Sequence, residues 1–141
     1  MTPDVTIALE APPEKQTIAD LGAGLRAYNE SFTGPTNAGE FVVTLRDPSG
    51  QFLGGVYCDF YWNALFIKWV WLDESMRKHK LGAKMMADAE AEGRRRGATM
   101  AHLDTFSFQA RGFYEKLGYT VFGTLDYPGQ NIQRHYMSKP L

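Results

Sequence analysis

Eight consecutive residues, Arg77-Lys78-His79-Lys80-Leu81-Gly82-Ala83-Lys84, put four cationic side chains beside a glycine where a strand-like pattern gives way to a helical one. The first turn of a helix carries backbone N–H groups with no intrahelical partner and lies at the positive end of the helix dipole. The combination is a recipe for holding a phosphate or pyrophosphate. A solvated basic helix start is the alternative, because short motifs also arise without a ligand. Further along, His102 and Asp104 stand two apart in an extended run, so strand alternation puts them on one face, opposite Leu103. Such a pair acts either as a relay through water or as a satisfied structural pair; we read His102 as structural and Asp104 as functional. The single cysteine, Cys58, lies in an apolar, aromatic run with no Cys or His at metal-ligand spacing, and reads as a small core residue rather than a nucleophile. No ligand cluster points to a metal.

These groups need elements to position them. Leu65–Leu72 is β-branched and aromatic, long enough for one buried strand; after the polar break Asp73-Glu74-Ser75, Leu81, Met85 and Ala89 recur at helical spacing up to about Arg96. The triplet Arg94-Arg95-Arg96 followed by Gly97 caps that helix, since cations favour its negative end and glycine suits the C′ position. Upstream, Val5–Leu9 alternates weakly and predicts a first strand. Pro12-Pro13-Glu14 opens a helix with Ile18, Leu21, Leu25 and Tyr28 on one face. Gly22 and Gly24 within it are no phosphate loop, as no Lys-Ser or Lys-Thr follows. Ser31–Gly39 reads as a loop able to cover a substrate site. Phe41–Arg46 and Gln51–Phe60 form a hairpin through Asp47-Pro48-Ser49-Gly50. A second turn at Trp62-Asn63-Ala64 leads into Leu65–Leu72. After the helix come a strand at Thr99–Thr105, a helix at about Phe108–Leu117 ending at Gly118, and strands Tyr119–Leu125 and Ile132–Ser138 around Tyr127-Pro128-Gly129-Gln130. The order β-α-β-β-β-α-β-α-β-β describes an α/β protein with a mixed, mostly antiparallel central sheet flanked by helices.

With 141 residues and neither repeat nor linker, the chain reads as a single domain, 1–141. Its 44% hydrophobic and 22% charged content is that of a globular protein, and no apolar run reaches the roughly 20 residues that span a bilayer. A net charge of −1 argues against a protein built to grip nucleic acid. Met1-Thr2-Pro3-Asp4 lacks the basic and apolar regions of a secretory leader, so cytoplasm is the expected compartment.

Two segments carry a family resemblance. Leu72-x-x-x-x-Arg77-x-x-Lys80-x-Gly82-Ala83 resembles the acetyl-CoA signature of the GNAT N-acetyltransferase superfamily, with Lys80 where the family usually has its first glycine. Ser107-x-x-Ala110-x-x-x-Tyr114-Glu115-Lys116-Leu117-Gly118-Tyr119 resembles the family's Asn-x-x-Ala-x-x-x-Tyr-Glu-Lys-x-Gly-Phe block, with Ser107 replacing the asparagine.

The resemblance implies a GNAT-like fold and transfer of an acetyl group from acetyl-CoA, without a metal, to an amine of a small molecule or an exposed protein amine. It implies that Val70 and Leu72 hold the pantetheine arm through backbone hydrogen bonds, that Arg77, Lys78, His79, Lys80, Leu81, Gly82, Ala83 and Lys84 wrap the pyrophosphate, and that Tyr114 protonates the departing thiolate. Ser107 becomes a partner for the cofactor or an ordered water. For the general base the candidates are Asp104, Asp59, Glu30 and His102, or water alone, because Lys68 stands where some members carry a glutamate. Lys80 suits the site only if its backbone is ordinary helical, since a lysine carries a Cβ. Tyr57, Phe60, Tyr61, Trp62, Trp69 and Trp71 are expected mostly in the core; if one face of them meets the loop around Phe32, it forms an apolar acceptor pocket for a small or aromatic amine. A non-catalytic acyl-CoA-binding module is the alternative function, and a homodimer stands open beside a monomer.

Overall fold

The computed structural model describes residues 3–141; Met1 and Thr2, the first two residues of Met1-Thr2-Pro3-Asp4, lie outside the described residues. The chain forms two compact units, one up to Thr36 and one over Asn37–Leu141.

In the first unit, α1 (Lys15–Thr33) begins just after Pro12-Pro13-Glu14, as the sequence predicts. Glu10 secures the start: its carboxylate accepts from the Glu14 amide and the Thr17 hydroxyl, each at 3.1 Å. The helix ends at Gly34, whose φ of +73° suits glycine and whose amide bonds the Glu30 carbonyl at 2.8 Å. It therefore takes up Ser31–Thr33, which the sequence reading assigns to a loop. The expected strand Val5–Leu9 is absent: it joins no ladder, and Ile7 is 98% exposed. Weak alternation without a pairing partner does not hold an extended chain in place.

The second unit is a six-stranded sheet in the order β1-β2-β3-β4-β6-β5. Its strands are β1 (Gly39–Arg46), β2 (Phe52–Tyr61), β3 (Ala64–Leu72), β4 (Met100–Phe106), β5 (Thr120–Tyr127) and β6 (Ile132–Pro140). Only β3 and β4 pair in parallel. The crossover between them is α2 (Leu81–Arg95), preceded by a 3₁₀ turn at Glu74–Met76. Met85, Met86 and Ala89 of α2 are buried with Val56, Cys58 and Phe60 of β2, Leu65 and Ile67 of β3, and Ala101 and Leu103 of β4. Helix and sheet approach closely at Gly93, where a Cβ would stand 2.9 Å from the Leu65 side chain. Arg95 and Arg96 pair with Glu92, and Gly97 follows at φ +98°. The arginine triplet thus closes the helix as its composition predicts. Residues Arg111–Lys116 form α3, shorter than the expected Phe108–Leu117. Phe108 and Gln109 fall in the turn before it, where the Gln109 amide bonds the Phe106 carbonyl at 2.9 Å.

One irregularity changes which side chains face the core. Tyr57 pairs with Trp69 but Cys58 pairs with Ile67, so Lys68 is the extra residue of a β-bulge in β3. Before the bulge Leu65 and Ile67 point into the core. After it Val70 and Leu72 do, while Trp69 and Trp71 turn to the opposite face, 71% and 49% exposed. The expectation that most of the aromatic cluster is core fails for this reason: Phe60 alone of the six is fully buried, Tyr57 is half-buried, and Tyr61, Trp62, Trp69 and Trp71 are exposed.

Candidate active site

The β3–β4 ladder runs from Ala64↔Met100 to Ile67↔Leu103 and stops, although β3 continues to Leu72 and β4 to Phe106. Each strand is held on its far side, β3 by β2 as far as Gly54↔Leu72 and β4 by β6 as far as Phe106↔Arg134. The two edges therefore cannot close, and a cleft of about 1360 Å³ opens between them. Openings beyond the carboxyl ends of neighbouring parallel strands are where open α/β sheets bind ligands. The β3 edge left without a ladder also offers backbone groups to an extended ligand, as a sheet edge does to an added strand.

On the α2 side the cleft is lined by Val70, Leu72, Arg77, Lys78, Lys80, Gly82 and Ala83, seven of the residues expected from the sequence to hold the cofactor. Local bonds fix this loop. Asp73 accepts from the Ser75 hydroxyl and, at 3.0 Å, from the Ser75 amide, which holds its carboxyl below the usual range. Arg77 donates from Nε to the Leu72 carbonyl at 3.2 Å, so its guanidinium stands at the strand end. His79, Leu81, Lys84 and Ser107 do not line the cleft. Lys84 bonds Asp88 at 2.5 Å, one helical turn away. Ser107 accepts from the Gln133 amide through Oγ at 3.0 Å and joins a separate, smaller depression beside Asp126 and Asn131.

Lys80 corrects an expectation. Its φ of +57° and ψ of +19° are left-handed, not helical. The lysine keeps the conformation glycine adopts freely, at a cost of about 1–2 kcal/mol for an L-residue. Next to it, a Cβ on Gly82 would lie 3.3 Å from Cζ of Phe113, so the glycine also lets α3 approach α2.

Tyr114 lines the other wall, 9% exposed, with its ring edge-on to Phe113 and Tyr119 at 5.1 and 6.3 Å. Burial, and secondarily the charge of Asp104, push its hydroxyl up to about 12. The phenol is protonated at neutral pH and available as a donor. Asp104 also lines the cleft, with Oδ1 held by Nε and Nη2 of Arg134, both at 2.9 Å. His102 stacks on Phe66 at 4.7 Å and is pulled below its ordinary value by burial, against the pull of Asp104, which fits its structural reading. Asp59 is paired with Lys68 at 3.2 Å, and Glu30 accepts from Thr36 within the first unit. Cys58 is wholly buried, its thiol pushed up to about 12 by burial, and is a core residue. Among the described residues no group of His, Cys, Asp or Glu is arranged to hold a metal, and no helix is long and apolar enough to cross a membrane.

Four cleft residues were not expected from the sequence. Arg134 lies thirty positions from its partner Asp104, with no local pattern linking them. Phe106 and Phe108 stack with parallel rings at 5.5 Å. Gln109 accepts through Oε1 from the Phe106 amide at 2.8 Å and the Thr105 hydroxyl at 3.2 Å, closing the end of β4; a polar residue between a strand and a helix was the available signal.

Comparison with known proteins fits this geometry. A model of the acetyltransferase (GNAT) family matches residues 8–119. Blasticidin-S acetyltransferase of Streptomyces morookaense is 34% identical over 94 residues, covering 65% of this chain and 68% of that protein. The crystal structure of an acetyltransferase from Bacillus cereus ATCC 14579 superposes with a TM-score of 0.80 at 26% identity, covering 92% of this chain and 94% of that one. An aminoglycoside 6′-N-acetyltransferase complexed with coenzyme A shares the fold, with a TM-score of 0.65 at 19% identity over 79% of this chain and 76% of that one.

Proposed function

This chain belongs to the acetyltransferase (GNAT) family and is an acyltransferase enzyme, and on that premise we propose that it transfers an acetyl group from acetyl-CoA directly to a primary amine, with Tyr114 as general acid. The acceptor is a small-molecule amine or an exposed protein amine, and residues 1–141 act as one domain. The observation that carries this reading is the splayed β3–β4 cleft, with a cationic loop and helix start at one side and a protonated tyrosine on its wall. Likeness to a fold solved with coenzyme A supports the donor, as does the antibiotic named for the curated relative for a small acceptor.

The free edge of β3 at Val70 and Leu72 offers backbone groups to the pantetheine arm. Arg77, Lys78, Lys80 and the amides around Gly82 and Ala83 face the pyrophosphate. The amine nitrogen forms a C–N bond to the acetyl carbon as the C–S bond breaks. The amine gives up a proton to water beside Asp104, and the sulfur takes the Tyr114 hydroxyl proton, which solvent then restores. A positioned donor of this kind contributes about 10²–10⁴-fold in rate.

The test is release of free thiol with mass detection of acetylated product, using acetyl-CoA and a panel of primary amines. Tyr114→Phe keeps the ring and should lower turnover within that range of about 10²–10⁴, with little change in KM for acetyl-CoA. Turnover within about twofold of wild type would leave Tyr114 a packing residue and overturn the proposed acid, since positioned donors contribute far more than this.

A further inference from the structure

The β3–β4 cleft passes from one face of the sheet to the other, and its two mouths differ in chemistry. The mouth beneath α2 carries Arg77, Lys78 and Lys80, all lining the cleft. The other face carries what the bulge at Lys68 turned outward: Trp69 and Trp71 on the β3 wall, both exposed and both lining the cleft. Facing them from the β4 side are Phe106, on the same face as Asp104, and Phe108, parallel to it and 70% exposed. The charges at this mouth are already matched, Lys68 with Asp59 at 3.2 Å and Asp104 with Arg134 at 2.9 Å. An electrically balanced mouth walled by indole and phenyl rings holds flat π-surfaces better than chains of charge.

We propose that Trp69 and Trp71 are the acceptor-specificity residues, and that the acceptor is an amine carried on a planar aromatic or heteroaromatic ring that stacks between the Trp69–Trp71 wall and the Phe106–Phe108 wall. This rests on the acetyl-transfer reading, in which the donor occupies the mouth under α2 and leaves the aromatic mouth for the acceptor. Tyr57 backs Trp69 at 5.3 Å and Phe52 backs Trp71 at 6.0 Å. The two indoles are thereby braced from β2 and remain exposed, with Lys68 Nζ 6.0 Å over the Trp69 ring.

The decisive comparison is 2-phenylethylamine against 2-cyclohexylethylamine, which share the amine and the apolar bulk but differ in ring planarity. Aromatic stacking is worth about 0.5–1.5 kcal/mol beyond burial, so wild type should favour the planar amine by about 2- to 10-fold in kcat/KM at saturating acetyl-CoA. Trp69→Leu should erase the preference and leave KM for acetyl-CoA and the melting midpoint unchanged, while Trp69→Phe retains part of it. Equal use of both amines by wild type overturns the proposal. So does a Trp69→Leu enzyme that loses melting temperature while keeping the preference, because the indole would then be packing. A binding arm separates this from the parent reading: tryptophan fluorescence is titrated with 2-phenylethanol and 2-cyclohexylethanol, which cannot be N-acetylated. Preferential quenching by the planar alcohol, lost in Phe108→Leu, which keeps both indole reporters, supports the stacking site even if no amine is turned over. Acetylation of amines with no planar preference in either arm leaves the transfer reading standing and removes this one.

Discussion

Arg134 of β6 holds a single oxygen of Asp104 of β4 with two nitrogens, Nε and Nη2, each 2.9 Å from Oδ1. The pair crosses the ladder that keeps β4 away from β3, and the Asp104 charge in turn reaches Tyr114. The position that the sequence nominated as a base is thus a charged neighbour of the Tyr114 phenol, already tied to a cation.

That relationship gives a pH prediction. The Tyr114 hydroxyl is raised first by burial and then by Asp104, to about 12 from its ordinary 10.0. A raised value means that the folded state keeps the proton longer than the unfolded state. This contribution is complete below about pH 10 and is lost as pH rises from about 10 to about 12, by up to roughly 2–3 kcal/mol. Tyr114→Phe should flatten that part of the alkaline unfolding profile. Asp104→Asn should lower the Tyr114 midpoint, read by tyrosinate absorbance against Tyr114→Phe, without bringing it to the ordinary value. An unmoved midpoint would mean that the Asp104 charge does not reach the phenol.

Lys80→Gly should act in opposite directions on stability and on binding. Removing a left-handed lysine relieves about 1–2 kcal/mol of backbone strain, offset by roughly 0.5–1 kcal/mol of extra freedom in the unfolded glycine chain, so denaturant unfolding should show a net gain below about 1.5 kcal/mol. Loss of the ammonium should weaken acetyl-CoA by about 0.3–1 kcal/mol at low ionic strength and by less at high salt. Affinities that fall in parallel as salt rises would deny the side chain any electrostatic role. Tighter binding by the glycine variant at every salt concentration would make the lysine an obstruction.

Gly82→Val should abolish acetyl-CoA binding in a folded protein. Part of its effect is mechanical, since even a Cβ would come within 3.3 Å of Phe113. Adding Phe113→Leu should restore the stability lost on pressing α3, and calorimetric titration should still find no binding. Recovery of affinity in the double variant would place the obstruction at the α2–α3 contact rather than at the phosphate.

A buried carboxylate sets the fourth expectation. Glu90 of α2 accepts from the Tyr119 hydroxyl at 2.8 Å and from the Lys139 ammonium at 2.7 Å, tying the helix to the start of β5 and the end of β6. Lys139→Met leaves the 7%-exposed Glu90 side chain without its cation and should cost about 2–4 kcal/mol in urea unfolding, reduced from the fully buried case because Lys139 is partly solvated. In the Lys139→Met/Glu90→Gln pair the loss should be smaller than for the single change. Equal losses would mean that the ion pair contributes through packing alone.

Much of this protein was legible as pattern. Periods of two and of 3.6, punctuated by turn residues such as Asp47-Pro48-Ser49-Gly50 and by Gly97 and Gly118, placed every strand and both α-helices of the second unit to within a few residues, but not the 3₁₀ turn at Glu74–Met76. The basic stretch after the strand marked the loop that lines the cleft. These features are local: a few neighbouring residues set the turn, the cap or the amphipathic face, so the chain carries them in order. Tertiary structure alone decided what depended on distant partners. The bulge at Lys68 arises from pairing with β2, and it reverses the facing of Trp69 and Trp71 that simple alternation assigns. Asp104 meets Arg134 only because β6 returns beside β4, whereas Ser107, matched to a cofactor position by motif, is drawn toward Gln133 and away from the cleft. Lys80 takes the left-handed turn that its own side chain disfavours, because local preferences of about a kilocalorie per mole yield to the sheet and helix that the loop must join.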